Sequence, residues 1–428
     1  MSRFSLALPV LLLSLTFAPL AHAADPAKPA PAQTTKAQTA PAQTAKAADS
    51  APDAKTSATL TQKSPETSDP TTAKQAFIID YETNTVLMDK NGHERMPTSS
   101  MSKTMTIYMA FDALKKGKIT LDSKFPVSEK AWRMQGSKMF VELGSLIDVQ
   151  NLIRGIIIQS GNDATIVMAE GIAGTEADFV DQMNAKAKQL GMNESHFINA
   201  SGWPDPDHYS TAHDLVILAD HLIADFPEDY KFFSEKEFTW HNIHQMNRNP
   251  LLFRDVGADG LKTGHAEEAG AGYGLMGSGT RDGRRVVMVL NGMASEKDRA
   301  NEGARLMDWA LRNFENVNLF KSGDTVEKAT VAMGQAAEVP MVVDRNILVT
   351  VAKAVKNDLK VTVTYKGPLM APIKKGDEIG QLKIQLPRGG EILAPLTAGE
   401  DVPKLGLMAS TVQKFKFMLN HKLDSVVR

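Results

Sequence analysis

Ser100 and Lys103 are the residues of this chain best spaced for nucleophilic catalysis, within the stretch Met96-Pro-Thr-Ser-Ser-Met-Ser-Lys-Thr-Met-Thr-Ile-Tyr-Met-Ala-Phe111. Three apart on a helix, they share one face, so the amine reaches the hydroxyl. The surrounding Met101, Met105, Ile107, Met109, Ala110, Phe111 and Leu114 are apolar on nearly every side, the composition of a helix buried in the middle of a domain. Burial disfavours the charged ammonium and lowers the pKa of Lys103. A neutral amine can then take the Ser100 proton. A first-turn position also leaves the Ser100 backbone N–H pointing at a developing oxyanion. Taken alone, the same two residues also describe a capping serine and a solvated lysine.

Two further constellations follow. Ser160-Gly-Asn162 sits between a buried helical run from Leu152 and a second helix beginning at Asn162 or Asp163. A hydroxyl and an amide on such a loop can face a cleft, or simply cap the second helix. Asp259-Gly-Leu-Lys262-Thr263-Gly264-His265 offers a cation, a hydroxyl and an approachable backbone to a carboxylate-bearing ligand on a strand edge. Each is weak alone, but S-x-x-K, then S-x-N about sixty residues on, then K-T-G about a hundred beyond is the ordered set of the penicillin-binding proteins and class A β-lactamases.

From about Ala76 to Leu419 the chain resembles the low-molecular-mass penicillin-binding proteins, the D-alanyl-D-alanine carboxypeptidases of peptidoglycan metabolism. The matching stretches are Pro97 to Thr106, Ile157 to Ala164, Ser210-Thr-Ala-His-Asp214, Asn247-Arg-Asn249 with Leu251-Leu252, and Asp259 to His265. The resemblance implies Ser100 as acylated nucleophile, Lys103 as proton acceptor, and Ser160 with Asn162 as the second wall of the cleft. It implies Lys262 on the third side with Gly264 beside it, Thr263 and Arg248 near the substrate carboxylate, and the backbone N–H groups of Ser100 and His265 as oxyanion hole. Neighbouring Lys103 and Lys262 disfavour double protonation, which helps keep one amine basic. The chain departs from the family in having Ala266 for threonine and an apparent two-residue insertion before Tyr273. His213 stands where arginine is common, a change expected to be structural only.

No cofactor and no metal are expected. His241-Asn-Ile-His244 could pair on a helix face, but no H-E-x-x-H accompanies it. Gly272-Tyr-Gly-Leu-Met-Gly277 matches G-x-G-x-x-G, yet leads into a strand hairpin around Asp282-Gly283 and not into a helix. No G-x-S-x-G elbow is present, which argues against an α/β-hydrolase.

The elements that must position these residues belong to a chain of 428 residues, enough for two domains. With 48 Lys+Arg against 50 Asp+Glu it carries no electrostatic footprint for nucleic acid. Met1-Ser-Arg3, an apolar run from Leu6 to Leu20 and Ala21-His-Ala23 match a signal peptide over residues 1–23, and hence export, which together with the resemblance implies the periplasm. No cysteine occurs, so thiol catalysis and disulfides are excluded. Residues 24–75, rich in Ala, Pro, Thr and Lys, with Leu60 the one large aliphatic, read as a disordered linker. The expected fold is α+β. A serine D,D-peptidase domain of the penicillin-binding-protein/β-lactamase kind, antiparallel sheet with helices, spans 76–316, with a hairpin Ala76 to Met88 before the Ser100 helix. Short alternating strands over 317–403 read as a small β-sandwich. Residues 404–428 place Leu405, Met408, Val412, Phe415, Leu419, Leu423 and Val426 three or four apart among lysines. They read as an amphipathic helix on the outer face of the inner membrane, a placement the resemblance also implies.

The activity so implied is attack by Ser100 on the carbonyl between the last two D-alanines of a peptidoglycan stem pentapeptide. D-Alanine leaves and water hydrolyses the acyl-enzyme, while β-lactams acylate the same serine as covalent inhibitors. The rivals are a D,D-endopeptidase, a β-lactamase and a non-catalytic peptidoglycan-binding scaffold. A β-lactamase needs a carboxylate to activate the deacylating water, and nothing between Gly191 and Ser210 has that spacing. A scaffold would not need the complete set of motif side chains.

Overall fold

The computed structural model of the chain describes residues 70–266, 272–387 and 390–406. The expected signal peptide at 1–23, the expected linker as far as residue 69 and the expected C-terminal helix from residue 407 on lie outside the described residues. Within them the linker reading ends too late: Ala73 is fully buried, and Lys90 Nζ donates to the carbonyls of Thr71 and Ala73. Composition carries no signal for backbone carbonyls, so it missed this docking.

The chain opens with strand β1 (Gln75–Asp80), the turn around Asn84 and β2 (Val86–Lys90), the expected hairpin. A 3-10 turn, Ser99–Ser102, leads into α1 (Lys103–Lys115), which stops before Gly117 at φ 65°. A small hairpin of β3 (Lys124–Pro126) and β4 (Leu146–Asp148) encloses α2 (Glu129–Arg133). Helices α3 (Val149–Ile157), α4 (Asn162–Ala173), α5 (Glu176–Leu190) and α6 (Ala212–Asp225) follow, then the hairpin β5 (Glu237–Trp240) and β6 (Ile243–Met246). β7 (Ala258–Ala266), β8 (Gly272–Arg281) and β9 (Arg284–Met293) complete an antiparallel sheet in the order β2-β1-β9-β8-β7. α7 (Glu296–Asn313) closes the domain.

Strand alternation explains the layering. Phe77, Ile79, Met276, Val287 and Val289 face the core formed with α1 and α3 to α6. Ala76, Ile78, Leu275, Met288 and Leu290 face Leu306, Met307 and Ala310 of α7 on the other side. The sheet is thus apolar on both faces, and α1 is buried all round, as its composition predicts.

The C-terminal domain packs the pair β10 (Phe314–Phe320) and β13 (Ile347–Ala352) on a six-stranded sheet. That sheet comprises β11 (Thr325–Ala332), β12 (Glu338–Val343), β14 (Lys360–Thr364), β15 (Leu369–Met370), β16 (Glu378–Gln385) and β17 (Glu391–Ala398). Val349 and Val351 meet Met341, Leu382, Ile384 and Leu396 in its core. The sandwich begins at Phe314, earlier than the expected 317, because β10 follows α7 with no linker and Phe314 continues the helix's apolar stripe. The strand β17 was not read from sequence: Pro395 interrupts its pattern, although it sits in register opposite Gln381. The expected helix at 404 does not start there, since Lys404 bridges Gly334 and Leu405 N donates to Met333 O.

Candidate active site

The site assembles where α1, the α3–α4 loop and the edge strand β7 meet. Ser100 lies in the 3-10 turn that precedes α1, half-buried, and Lys103, the first residue of α1, is fully buried. Lys103 Nζ lies 2.8 Å from Ser100 Oγ and donates to the Ser201 carbonyl at 2.6 Å. Burial, with the charge of Arg248 second, lowers the Lys103 pKa to about 7. Asp163 opposes this shift. Its carboxylate already accepts from the backbone N–H groups of Met139, Phe140, Val141 and Ala164. The amine therefore loses its proton near neutrality and, uncharged, can accept that of Ser100.

Ser160 does not cap α4, and neither does Asn162. The capping position is Gly161, without a side-chain bond. Ser160, at φ 58°, is buried and accepts a hydrogen bond from Lys262 Nζ at 3.0 Å. Asn162 donates its side-chain amide to the Gln135 carbonyl at 2.8 Å, tying the start of α4 to the loop before it. Lys262 is buried on β7 and also donates to the Thr263 carbonyl. Burial first, then the charges of Lys103, Arg248 and Arg299, push its pKa well below the ordinary value. Ser99, beside the proposed nucleophile, is a second non-glycine residue in the left-handed region, at φ 49°. Such backbones cost of order 1–3 kcal/mol each and persist where surrounding structure imposes them.

Two glycines let backbone approach the Ser100 turn. A Cβ on Gly264 would stand 2.7 Å from the Thr98 carbonyl oxygen, so the K-T-G strand lies directly against the turn, with His265 next in line. A Cβ on Gly202, at φ 74°, would stand 1.9 Å from the Ser99 carbonyl oxygen. The segment carrying Ser201 can therefore close over Lys103. Thr263 is buried, and His265 stacks on Tyr273 with ring centres 4.0 Å apart. The register His265 opposite Tyr273 and Ala266 opposite Gly272 is continuous, so Ala266 lies on β7, while residues 267–271, where the apparent insertion falls, lie outside the described residues. Arg248 donates to Ser137 Oγ at 2.6 Å.

The structure thus joins Ser100 to Lys103 and Ser160 to Lys262 by direct bonds, with the charge of Lys103 acting on Lys262 and with Asn162, Thr263, Gly264 and His265 adjoining them in sequence. Arg248 acts on both lysines by charge. Sequence reasoning missed the Ser201 carbonyl, Gln135 and Ser137, whose roles rest on backbone or generic hydroxyl groups. It passed over Asp163, read only as a possible first residue of the second helix. His241 and His244 do not share a helix: His241 lies in the β5–β6 turn and pairs with Glu142, and His244 lies on β6 and pairs with Glu237. Gly272 to Gly277 lies in β8 and leads through Asp282-Gly283 into β9, as the hairpin reading expected.

Comparison with known proteins agrees with this geometry. Residues 60–294 match the family model described as D-alanyl-D-alanine carboxypeptidase, and residues 314–404 match that described as penicillin-binding protein 5, C-terminal domain. The chain is 37% identical over 322 residues to D-alanyl-D-alanine carboxypeptidase DacC of Escherichia coli, covering 73% of this chain and 80% of that one. Among solved structures it is similar to penicillin binding protein 5 from Haemophilus influenzae, with a TM-score of 0.69 and 34% identity over 78% of this chain and 99% of that one. Penicillin-Binding Protein D2 from Listeria monocytogenes, solved in an ampicillin-bound form, is 28% identical with a TM-score of 0.51, over 56% of this chain and 97% of that one.

Proposed function

The chain belongs to the D-alanyl-D-alanine carboxypeptidases, and from that premise we propose that Ser100 is the residue acylated by substrate and Lys103 the base that takes its proton. The protein is a serine-type D-Ala-D-Ala carboxypeptidase that acts on peptidoglycan stem peptides. The observation that carries the residue assignment is the buried Lys103 amine, 2.8 Å from a half-buried Ser100 hydroxyl and with a pKa lowered to about 7.

In this reading the stem pentapeptide lies along β7, its terminal carboxylate near Thr263 and Arg248. Ser100 Oγ bonds to the carbonyl carbon between the last two D-alanines as its proton passes to Lys103. The oxyanion is held by the backbone N–H groups of Ser100 and His265. Because Lys262 donates to Ser160 Oγ, the Ser160 proton is free to point at the leaving nitrogen. The C–N bond breaks, D-alanine takes a proton from Ser160, and Lys103 restores it. Water then hydrolyses the ester. A β-lactam presents a similar carbonyl to the same serine, which fits the ampicillin-bound form of the Listeria relative.

D-Alanine release from a pentapeptide ending in D-Ala-D-Ala tests the assignment with the wild type, Ser100→Ala and Lys103→Ala. We expect release by the wild type alone, and loss of labelled-penicillin acylation in Ser100→Ala. Release that survives Ser100→Ala would overturn it.

We also place the enzyme in the periplasm, on the outer face of the inner membrane, through residues 407–428. Support comes from the signal pattern at 1–23 and the basic amphipathic spacing of the tail. Among the described residues no helix is long and apolar enough to cross a membrane. Fractionation of cells carrying the full chain or a chain ending at Gly406 tests this, the expected outcome being membrane association of the full chain alone.

A further inference from the structure

Outside the set around Ser100, three ligand-type side chains converge from separate segments. His93 lies after β2, Glu194 after α5 and His213 on the first turn of α6, and one ligand atom of each lies within 4.8 Å of the other two. His93 Nδ1 is 3.2 Å from Glu194 Oε2. Bonds of about 2.0–2.1 Å to a tetrahedral ion set two of its ligands about 3.3 Å apart, which this pair already meets.

The arrangement is held in place by its surroundings. The two imidazoles have centres 4.3 Å apart, and buried Phe77 meets both edge-on, at 5.9 Å from His93 and 5.2 Å from His213. His213 N donates to the Gly92 carbonyl at 2.9 Å, fixing its backbone beside His93. His213 Nδ1 lies 3.3 Å from Asp214 Oδ1. That buried carboxylate also accepts from Glu194 N and Ser195 Oγ, each at 2.8 Å. One carboxylate thus orients both an imidazole and the backbone of the acidic ligand, the role outer-shell carboxylates take around metal-bound histidines. With Nδ1 on Asp214, Nε2 is left to carry the lone pair.

We propose that His93, Glu194 and His213 bind a divalent transition-metal ion. Two imidazoles and one carboxylate suit Zn²⁺, with water in the fourth position. The ion joins the β2 turn to the segment that carries Ser201, whose carbonyl holds Lys103. Its role is to brace that wall, separate from the acylation chemistry.

The test is calorimetric titration of Zn²⁺ into chelator-stripped full-length protein, with His93→Gln, His213→Arg and Asp214→Asn alongside. Arginine and glutamine offer no imidazole lone pair, and the exposed His93 tolerates substitution. The expected result is saturable binding of one ion per chain, lost in both histidine variants and weakened about 10- to 100-fold in Asp214→Asn. Zn²⁺ should raise the Tm of the wild type and leave that of His93→Gln unchanged, while penicillin labelling persists in both. Saturable binding that survives in both histidine variants would place the ion elsewhere, at His241 or His244, and overturn the proposal. So would the lack of saturable binding to the wild type at micromolar Zn²⁺.

Discussion

Lys103 and Lys262 in the active site, and Asp80 with Arg284 beneath the domain junction, are all buried, but their charges are treated in opposite ways. At the junction, Arg284 Nε donates to Asp80 Oδ2 at 2.6 Å and its Nη1 to the Ala310 carbonyl. The other Asp80 oxygen accepts from Thr83 and from Asn316 of the C-terminal domain, and Asn316 in turn accepts from Thr350. At the active site two buried amines both feel the field of Arg248, the charge of Lys103 acts on Lys262, and their bonds run to hydroxyls and carbonyls. A buried charge with its counter-charge holds parts of a fold together. Buried like charges push protons off at neutral pH, the condition that base catalysis needs.

Breaking each region should therefore have opposite effects on activity and stability. The largest effect is expected for Lys103→Met, which should lower D-alanine release by at least about 10³-fold. The same substitution should raise the Tm, since replacing a buried charge by an apolar residue of similar volume often stabilises by about 1 kcal/mol or more. A fall in Tm would mean that the Lys103 bonds outweigh its desolvation. Next, Asp80→Ala leaves the Arg284 guanidinium buried without its partner and should cost about 3–5 kcal/mol in denaturant titration, with turnover per folded molecule unchanged.

The pH dependence separates the regions more finely. Acylation should climb through pH 7 to a plateau, running about tenfold below it one unit lower, because only neutral Lys103 accepts the proton. The stability sign follows from the same shift. Lys103 titrates near 7 when folded and near 10.5 when unfolded, so the unfolded chain binds more protons between these values. Wild-type stability relative to Lys103→Met should therefore rise with pH across that window, by up to about 1.4 kcal/mol per unit. Below pH 7 the contribution should be flat. Arg248→Gln removes a charge that depresses Lys103, so the midpoint of the penicillin-acylation profile should move upward. The smallest effect is expected for Asn316→Ala, about 1 kcal/mol, from the loss of one bond to Asp80.

Much of this was legible in the residues because it is local. The three motifs, the all-round apolar face of α1, the hairpin before it and the alternating strands of the sandwich are patterns over a few neighbours, and each element formed close to where it was read. The errors fell at edges and at bonds to backbone. Residues 70–75 docked through carbonyls, Pro395 hid β17, and β10 began without a linker.

What the sequence determined by itself is the identity and order of the reacting groups, since a hydroxyl, an amine or a glycine is a property of the residue. Only the tertiary structure decided their state. The carbonyl that holds Lys103 comes from Ser201, 98 residues away, and the hydroxyl that meets Lys262 lies 102 residues before it. The carboxylate of Asp163 was occupied by N–H groups of a loop more than twenty positions earlier in the chain. A pKa depends on the solvent excluded and the charges gathered around a group, and neither is a property of its neighbours in sequence.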